Sequence, residues 1–173
     1  EEWEFIQSST GDFVSADTLG NESNISATVI GKRVAELYLD PLTAHYIVVG
    51  LQRAHTFPAI SSFSGLQLLS NTLEMRPLLR VKAKESDDMQ EVLAHQESTL
   101  LAEEPSMFEE RYGEFLNSIK TTRFFEEWID ERSEEFLLET FGIRPGEIRV
   151  KLNTMDWLLY AAEEMCKLMQ YRN

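Results

Sequence analysis

The sequence predicts a mainly α-helical bundle preceded by a short β-hairpin. Three observations carry this reading. From residue 29 onward, apolar residues recur at three- and four-residue spacing, as one face of a helix requires. Strand-like alternation is confined to the first 30 residues, apart from Leu78 to Val81. Pro58, Pro77, Pro105 and Gly142 fall between the periodic stretches and punctuate them.

The elements follow in order. Glu2 to Gln7 reads as the end of a helix, stopped by Ser8-Ser9-Thr10-Gly11. Phe13-Val14 and Ile25-Ser26-Ala27 are short strand candidates, separated by a turn-rich run from Asp17 to Asn24. Helix end, strand, loop, strand is the order of the back half of a winged helix. Thr28 is placed to cap a helix from Val29 to Tyr38, and Asp40 and Pro41 end it. Pro41 opens a second helix that runs to about Ala54. Further helices are expected at about 59–71, 87–102, 105–119, 121–139 and 145–170. The domain boundary falls between residues 28 and 29.

Composition narrows the function classes. The net charge of -14 is unevenly spread: residues 1–84 hold 9 acids and 7 bases, residues 85–141 hold 17 and 4, and residues 142–173 hold 4 and 5. Nucleic-acid binding needs local positive charge, so this distribution discourages it along the middle segment but not along the flanks. Cys166 is the single cysteine, which rules out an internal disulfide and suits a reducing, cytoplasmic setting. No apolar run approaches the roughly 20 residues that would cross a bilayer, so no membrane partner is expected. The acidic start, Glu1-Glu2-Trp3-Glu4, resembles no targeting peptide and reads as the middle of an element in a longer chain.

No phosphate-binding GxxxxGK[ST] loop and no glycine-rich nucleotide fingerprint occurs. His45, His55 and His95 share no metal-ligand spacing with one another or with Cys166. The pairs Glu103-Glu104, Glu109-Glu110, Glu126-Glu127 and Glu134-Glu135 read as solvated helix faces. No catalytic residue, metal site or cofactor site is therefore expected within this chain.

The last helix is the informative one. From Pro145 to about Gln170 it spans roughly 38 Å, enough to cross a domain. At about 100° per residue, Ile148, Leu152, Met155, Leu159, Ala162, Cys166 and Met169 form an apolar stripe, widened by Val150, Ala161, Met165 and Leu168. Only a wedge stays polar: Arg149, Asn153, Asp156, Tyr160, Glu163, Glu164 and Lys167. Trp157 projects to the border of that wedge. An indole there either packs against a neighbouring helix or offers a stacking face to bases, a contact worth about 1–3 kcal/mol per base. Trp3 and Trp128 lack a comparable basic neighbourhood and read as packing residues. Arg76, Arg80, Lys82 and Lys84 form a second basic cluster, able to meet phosphates or to offset the acidic stretch after it. Lys32-Arg33 is similarly non-specific.

Two segments together resemble a known family. Ala27-Thr28-Val29-Ile30-Gly31-Lys32-Arg33, continuing through Leu37-Tyr38-Leu39-Asp40-Pro41, resembles the junction after the winged helix in archaeal Ski-two-like DNA helicases, the Hjm group. Phe141-Gly142-Ile143-Arg144-Pro145-Gly146-Glu147-Ile148-Arg149, followed by Asp156-Trp157-Leu158-Leu159-Tyr160, resembles that group's ratchet helix. Phe125 to Glu131 fits the helix before it. The resemblance implies that residues 1–28 end a winged-helix domain and residues 29–173 form a helical ratchet domain. It also implies an ATP-dependent 3′-to-5′ helicase, with ATP and Mg held by motor domains of the same protein outside this chain. Single-stranded and forked DNA are the implied partners. Trp157 occupies the family's stacking position. The partner arginine of some members falls where this sequence has Val150, so Arg149 is the expected substitute. Trp157, Arg149, Asn153, Tyr160 and Lys151 are the expected nucleic-acid-binding residues, with residues 85–141 forming an outer face away from the strand.

A rival reading is a non-enzymatic acidic bundle that docks a basic protein, supported by the charge of the middle segment. An RNA helicase module of the same superfamily is a third, since nothing in these residues reads a 2′-hydroxyl.

Overall fold

The computed structural model describes Trp3, residues 5–8 and residues 25–170. Strands β1 (Ile6–Ser8) and β2 (Ile25–Ala27) pair antiparallel, with Ile6 opposite Ala27 and Ser8 opposite Ile25. The expected helix end over Glu2 to Gln7 is thus corrected at its last residues, which are strand. Six residues carry too little periodicity to choose, and a partner some twenty residues away chooses for them. Phe13-Val14 and the run from Asp17 to Asn24 lie outside the described residues.

Seven α-helices follow among the described residues. In α1 (Val29–Glu36), the Thr28 hydroxyl accepts the Gly31 amide at 3.1 Å, as the sequence predicts. The Thr28 amide also donates to the Phe5 carbonyl at 3.0 Å, joining the hairpin to the helix. Glycine at 31 is required by this approach, because a Cβ there would lie 2.0 Å from the Phe5 carbonyl oxygen. The helix ends on Tyr38 at φ 54°, with its amide on Ala35 and the Leu39 amide on Val34. That is a Schellman stop with tyrosine where glycine is usual. Asp40 caps α2 (Pro41–Ala54) by accepting the Leu42 amide at 2.8 Å.

Next come α3 (Ser62–Ser70), α4 (Ser86–Gln96), α5 (Tyr112–Ile129), α6 (Glu134–Phe141) and α7 (Pro145–Gln170). Two expectations are corrected here. No helix forms over 105–111, and α5 runs unbroken through residue 120. Thr121 and Thr122 do not interrupt it because their hydroxyls bond the carbonyls of Asn117 and Ser118, each at 2.8 Å, one turn back. The break comes instead at Glu131, φ 59°, after which Ser133 caps α6. Gly142, φ 64°, ends α6 in the left-handed conformation.

Among the described residues the apolar interior forms two clusters. One gathers α1, α2, α5, α6 and α7 around Ile47, Phe124, Leu158 and Met165. The other lies among α3, α4 and α5 around Phe63, Leu93, Phe115 and Ile119. Trp3 stacks on His45 with ring centroids 4.7 Å apart, the packing role expected of it.

Between α3 and α4 the chain is non-helical over Arg76–Lys82 and is tied down on two sides. The amides of Leu79 and Val81 donate to Thr121 Oγ1 (3.0 Å) and Asn117 Oδ1 (2.8 Å) on α5. Two buried ammonium groups hold its carbonyls: Lys120 on Arg80 at 3.0 Å, and Lys151 on Met75 and Pro77 at 3.2 and 2.5 Å. The alternation at Leu78 to Val81 is therefore a strap against helices and not a strand of a sheet.

Candidate nucleic-acid interface

Helix α7 starts at Pro145, with the Glu147 carboxylate reaching back to the Arg144 amide at 2.8 Å. The wedge expected to be polar is the exposed side: Arg149, Asn153, Asp156, Tyr160, Glu163 and Lys167 all face out, with Glu164 half-buried at its margin. The apolar stripe is corrected. Its buried line runs through Ile148, Lys151, Met155, Leu158, Ala161 and Met165, turned about 60° from the predicted one. Leu159 and Val150 are 46% and 65% exposed. The cause is tertiary: α1, α2, α3 and the 3-10 turn at Leu73–Met75 all contact α7 and set its buried side.

Trp157 is half-buried at the edge of the strip. Its ring packs against the larger core cluster, and its Nε1–H donates to the Leu37 carbonyl at 3.1 Å, beside the stop of α1. That bond fixes the plane of the indole while leaving part of the ring open. Tyr160 is 48% exposed, and its hydroxyl accepts from Arg33 at 3.1 Å. Arg33 also meets Glu164 at 2.6 Å and Glu36 at 2.8 Å. The Arg33 hydrogen bond, helped by Lys167, holds the Glu164 carboxyl below the usual glutamate range. Arg33 is accordingly a clasp between α1 and α7.

Lys151 departs from the expectation. It is 7% exposed, and its ammonium is occupied by the carbonyls of Met75 and Pro77. Burial pushes its pKa down, opposed by Glu147. In this arrangement its ammonium anchors the strap.

Arg149 and Asn153 line a groove of about 500 Å³ with Trp128, Arg132, Glu134 and Leu137. The structure thus brings Arg149 beside a different indole from the expected one. Trp128, read as a packing residue, is 46% exposed in the last turn of α5. The acidic run right after it was the available signal for that exposure. The expectation that residues 85–141 stand apart from the α7 strip is corrected in part, since Trp128 and Arg132 share this groove. Glu126 and Glu127 nearby are paired with Arg123 at 2.8 and 3.1 Å, and Glu127 also with Arg132 at 3.1 Å. Among the described residues no group of three or more His, Cys, Asp or Glu side chains is arranged to hold a metal, and no helix is long and apolar enough to cross a membrane.

This arrangement of a long helix with an open polar strip, a hydrogen-bonded indole at its margin and an arginine groove at its start can be compared with known proteins. Residues 63–173 match the family model described as archaeal helicase, domain 4. The chain is 35% identical over 163 residues to the ATP-dependent DNA helicase Hel308 of Methanococcus vannielii, covering 91% of this chain and 20% of that protein. It is 36% identical over 143 residues to the Hel308 of Methanocaldococcus jannaschii, covering 82% and 11%. With the Hel308 of Methanocella arvoryzae it shares 32% over 148 residues, covering 84% and 20%. The chain spans a fifth or less of the length of these relatives.

Proposed function

The chain belongs to the archaeal helicase domain 4 family, as part of a Hel308-type superfamily-two helicase, and from that premise we propose that it guides single-stranded DNA during ATP-driven unwinding. In this reading residues 29–173 are the ratchet domain and residues 1–28 close a winged-helix domain. Motor domains elsewhere in the protein bind ATP and Mg and travel 3′ to 5′ on forked DNA, in repair or replication restart. Relatives named as ATP-dependent DNA helicases support the enzyme class.

The observation that carries the guiding role is Trp157. An indole held by one hydrogen bond, half-open, at the border of an exposed strip is pre-oriented for a base. Stacking is tolerant of sequence because every base has a π-face, which suits a helicase that must pass any strand. Asn153 and Tyr160 lie next to it in projection, and Arg149, an exposed residue, stands about two turns earlier. Each motor stroke would move the strand by exchanging one stacked base for the next.

The test is Trp157→Ala and Trp157→Phe in the full-length helicase, with unwinding and ATP hydrolysis measured side by side. Trp157→Ala is expected to reduce unwinding more than hydrolysis, and Trp157→Phe to retain part of the unwinding through its ring. Equal loss of both activities would assign the indole to the fold. A labelled single-stranded DNA titration at low salt separates this reading from an acidic protein-docking bundle, which predicts no binding and no effect of Trp157.

A further inference from the structure

The strap between α3 and α4 presents Arg76, Arg80, Lys82 and Lys84, all exposed, while Leu78, Leu79 and Val81 between them are half-buried. Its backbone is fixed rather than loose. Alternate amides are bound to α5, and three carbonyls are held by the buried ammonium groups of Lys120 and Lys151. Arg76 and Lys82 have extended ψ angles of 146° and 156°. Alternate residues in such a chain stand about 6–7 Å apart, so Arg80 and Lys82 are regularly spaced cations, and Lys84 follows on the 3-10 turn Ala83–Glu85.

Of the neighbouring acids, Glu85 is paired with Lys120 at 2.7 Å, while Glu74 and Glu147 keep their charge and are held by the Thr43 hydroxyl at 2.7 Å and the Arg144 amide at 2.8 Å. Glu114 lies 3.9 Å from Arg76. Among the described residues none of Arg80, Lys82 and Lys84 is within ion-pair distance of a carboxylate. The chain's charge of -14 does not cancel them at a distance, because charges beyond roughly 8 Å are screened at physiological salt.

The strap and α7 enclose a groove of about 370 Å³, with Arg76, Arg80 and Lys82 on one side, Val150, Lys151 and Thr154 on the other, and the carboxylates of Glu74 and Glu147 also in its lining. Val150 projects within about 20° of Trp157 and about 10.5 Å before it along the axis. On the side of Trp157 that faces the strap, α7 has no outward cation among the described residues, since Val150 is apolar and the Lys151 ammonium turns inward. We infer that the strap is a phosphate rail: Arg80, Lys82 and Lys84 take the sugar–phosphate backbone of single-stranded DNA on the α7 face that presents Trp157. The contacts are ionic and independent of sequence. Stacking on the indole and neutralisation on the strap then act on one strand from two elements. This rests on the guiding role proposed above.

The experiment uses the full-length helicase and labelled oligo-dT, with binding followed by anisotropy from 50 to 200 mM salt. The variants are Arg80→Gln/Lys82→Gln/Lys84→Gln, Arg80→Lys and Trp157→Ala. Losing three phosphate contacts lowers the log–log salt slope by about 2, so across that salt range the triple variant loses roughly 20-fold less affinity than the parent. Arg80→Lys keeps the parent slope, and Trp157→Ala weakens binding with the slope unchanged. If Trp157→Ala weakens binding while the triple variant keeps the parent slope, the rail is wrong and the guiding role stands. If neither variant changes binding, the guiding role fails and the rail with it. A slope change confined to duplex DNA also overturns the assignment.

Discussion

Replacing Lys151 by Met tests whether the buried ammonium is an anchor or a DNA contact. The methionine stem fills the same volume, so the change removes the charge and its two hydrogen bonds with little cavity. Hydrogen bonds from a charged donor contribute about 1.5–3 kcal/mol each, but removing a buried charge also removes its desolvation cost of several kcal/mol. What decides the sign is the acceptors left behind. Pro77 is exposed, so its carbonyl has access to water, whereas Met75 is 2% exposed and its carbonyl is stranded at a cost of about 1–3 kcal/mol. We expect Lys151→Met to loosen the strap by about 1.4 kcal/mol, read as roughly tenfold faster exchange of the Leu79 and Val81 amides. The dependence on pH has a definite sign. With the folded pKa of Lys151 below its ordinary value, the unfolded chain binds more protons between the two, so the parent gains stability over Lys151→Met as pH rises through that window. Unchanged exchange at Leu79 and Val81, together with a DNA-binding salt slope lowered by about 0.7, would refute the anchor and restore Lys151 as a phosphate contact.

Two other outcomes follow from local geometry. Tyr38 is 90% exposed and holds a left-handed conformation that costs a non-glycine residue about 1–2 kcal/mol. Tyr38→Gly should therefore raise the urea midpoint of the full-length protein's helical transition, and a lower midpoint would mean the ring makes a stabilising contact. Glu164→Gln removes the Arg33 pair. Because the Glu164 pKa is lowered in the folded state, the pair's contribution is present above the ordinary glutamate value and lost as pH falls through the folded one. The variant should match the parent at the acid end and fall below it toward neutrality in thermal melts; a constant difference across pH would show the carboxylate plays no part.

The parts of the fold that could be read from sequence are those fixed by neighbours in the chain. Thr28, Asp40-Pro41, Gly142 and Pro145 act within one helical turn, and each marks the boundary expected of it. The misreadings have different causes. β1 depends on a partner some twenty residues on, and α5 runs through residue 120, where the pattern separated two helices, with the Thr121 and Thr122 hydroxyls bonded one turn back inside the same helix. Propensity weighs against threonine in helices for the entropy and competing bonds it brings, but a hydroxyl that bonds the i−4 carbonyl leaves the helix continuous, and burial of both threonines on α5 outweighs the small cost.

The site divides on the same physical line. The polar wedge of α7 was legible because charge alone decides which side meets water, and the border position of Trp157 followed from it. The buried side was not, because apolarity says that a residue is covered without saying from which direction. Lys151 shows the limit most sharply. Its partners are backbone carbonyls 74 and 76 residues earlier, and a carbonyl has no signature in sequence. A lysine in the middle of a buried face therefore looks like a misplaced surface charge, and it is explained only when the strap it holds comes into view. Once it does, the basic cluster at Arg76 to Lys84 changes meaning too. Four cations on a loose loop would serve as general charge balance, but the same four on a backbone pinned by Thr121, Asn117, Lys120 and Lys151 keep fixed spacing beside α7. Fixed spacing lowers the entropy lost when a polyanion binds, which separates a binding surface from a merely basic one.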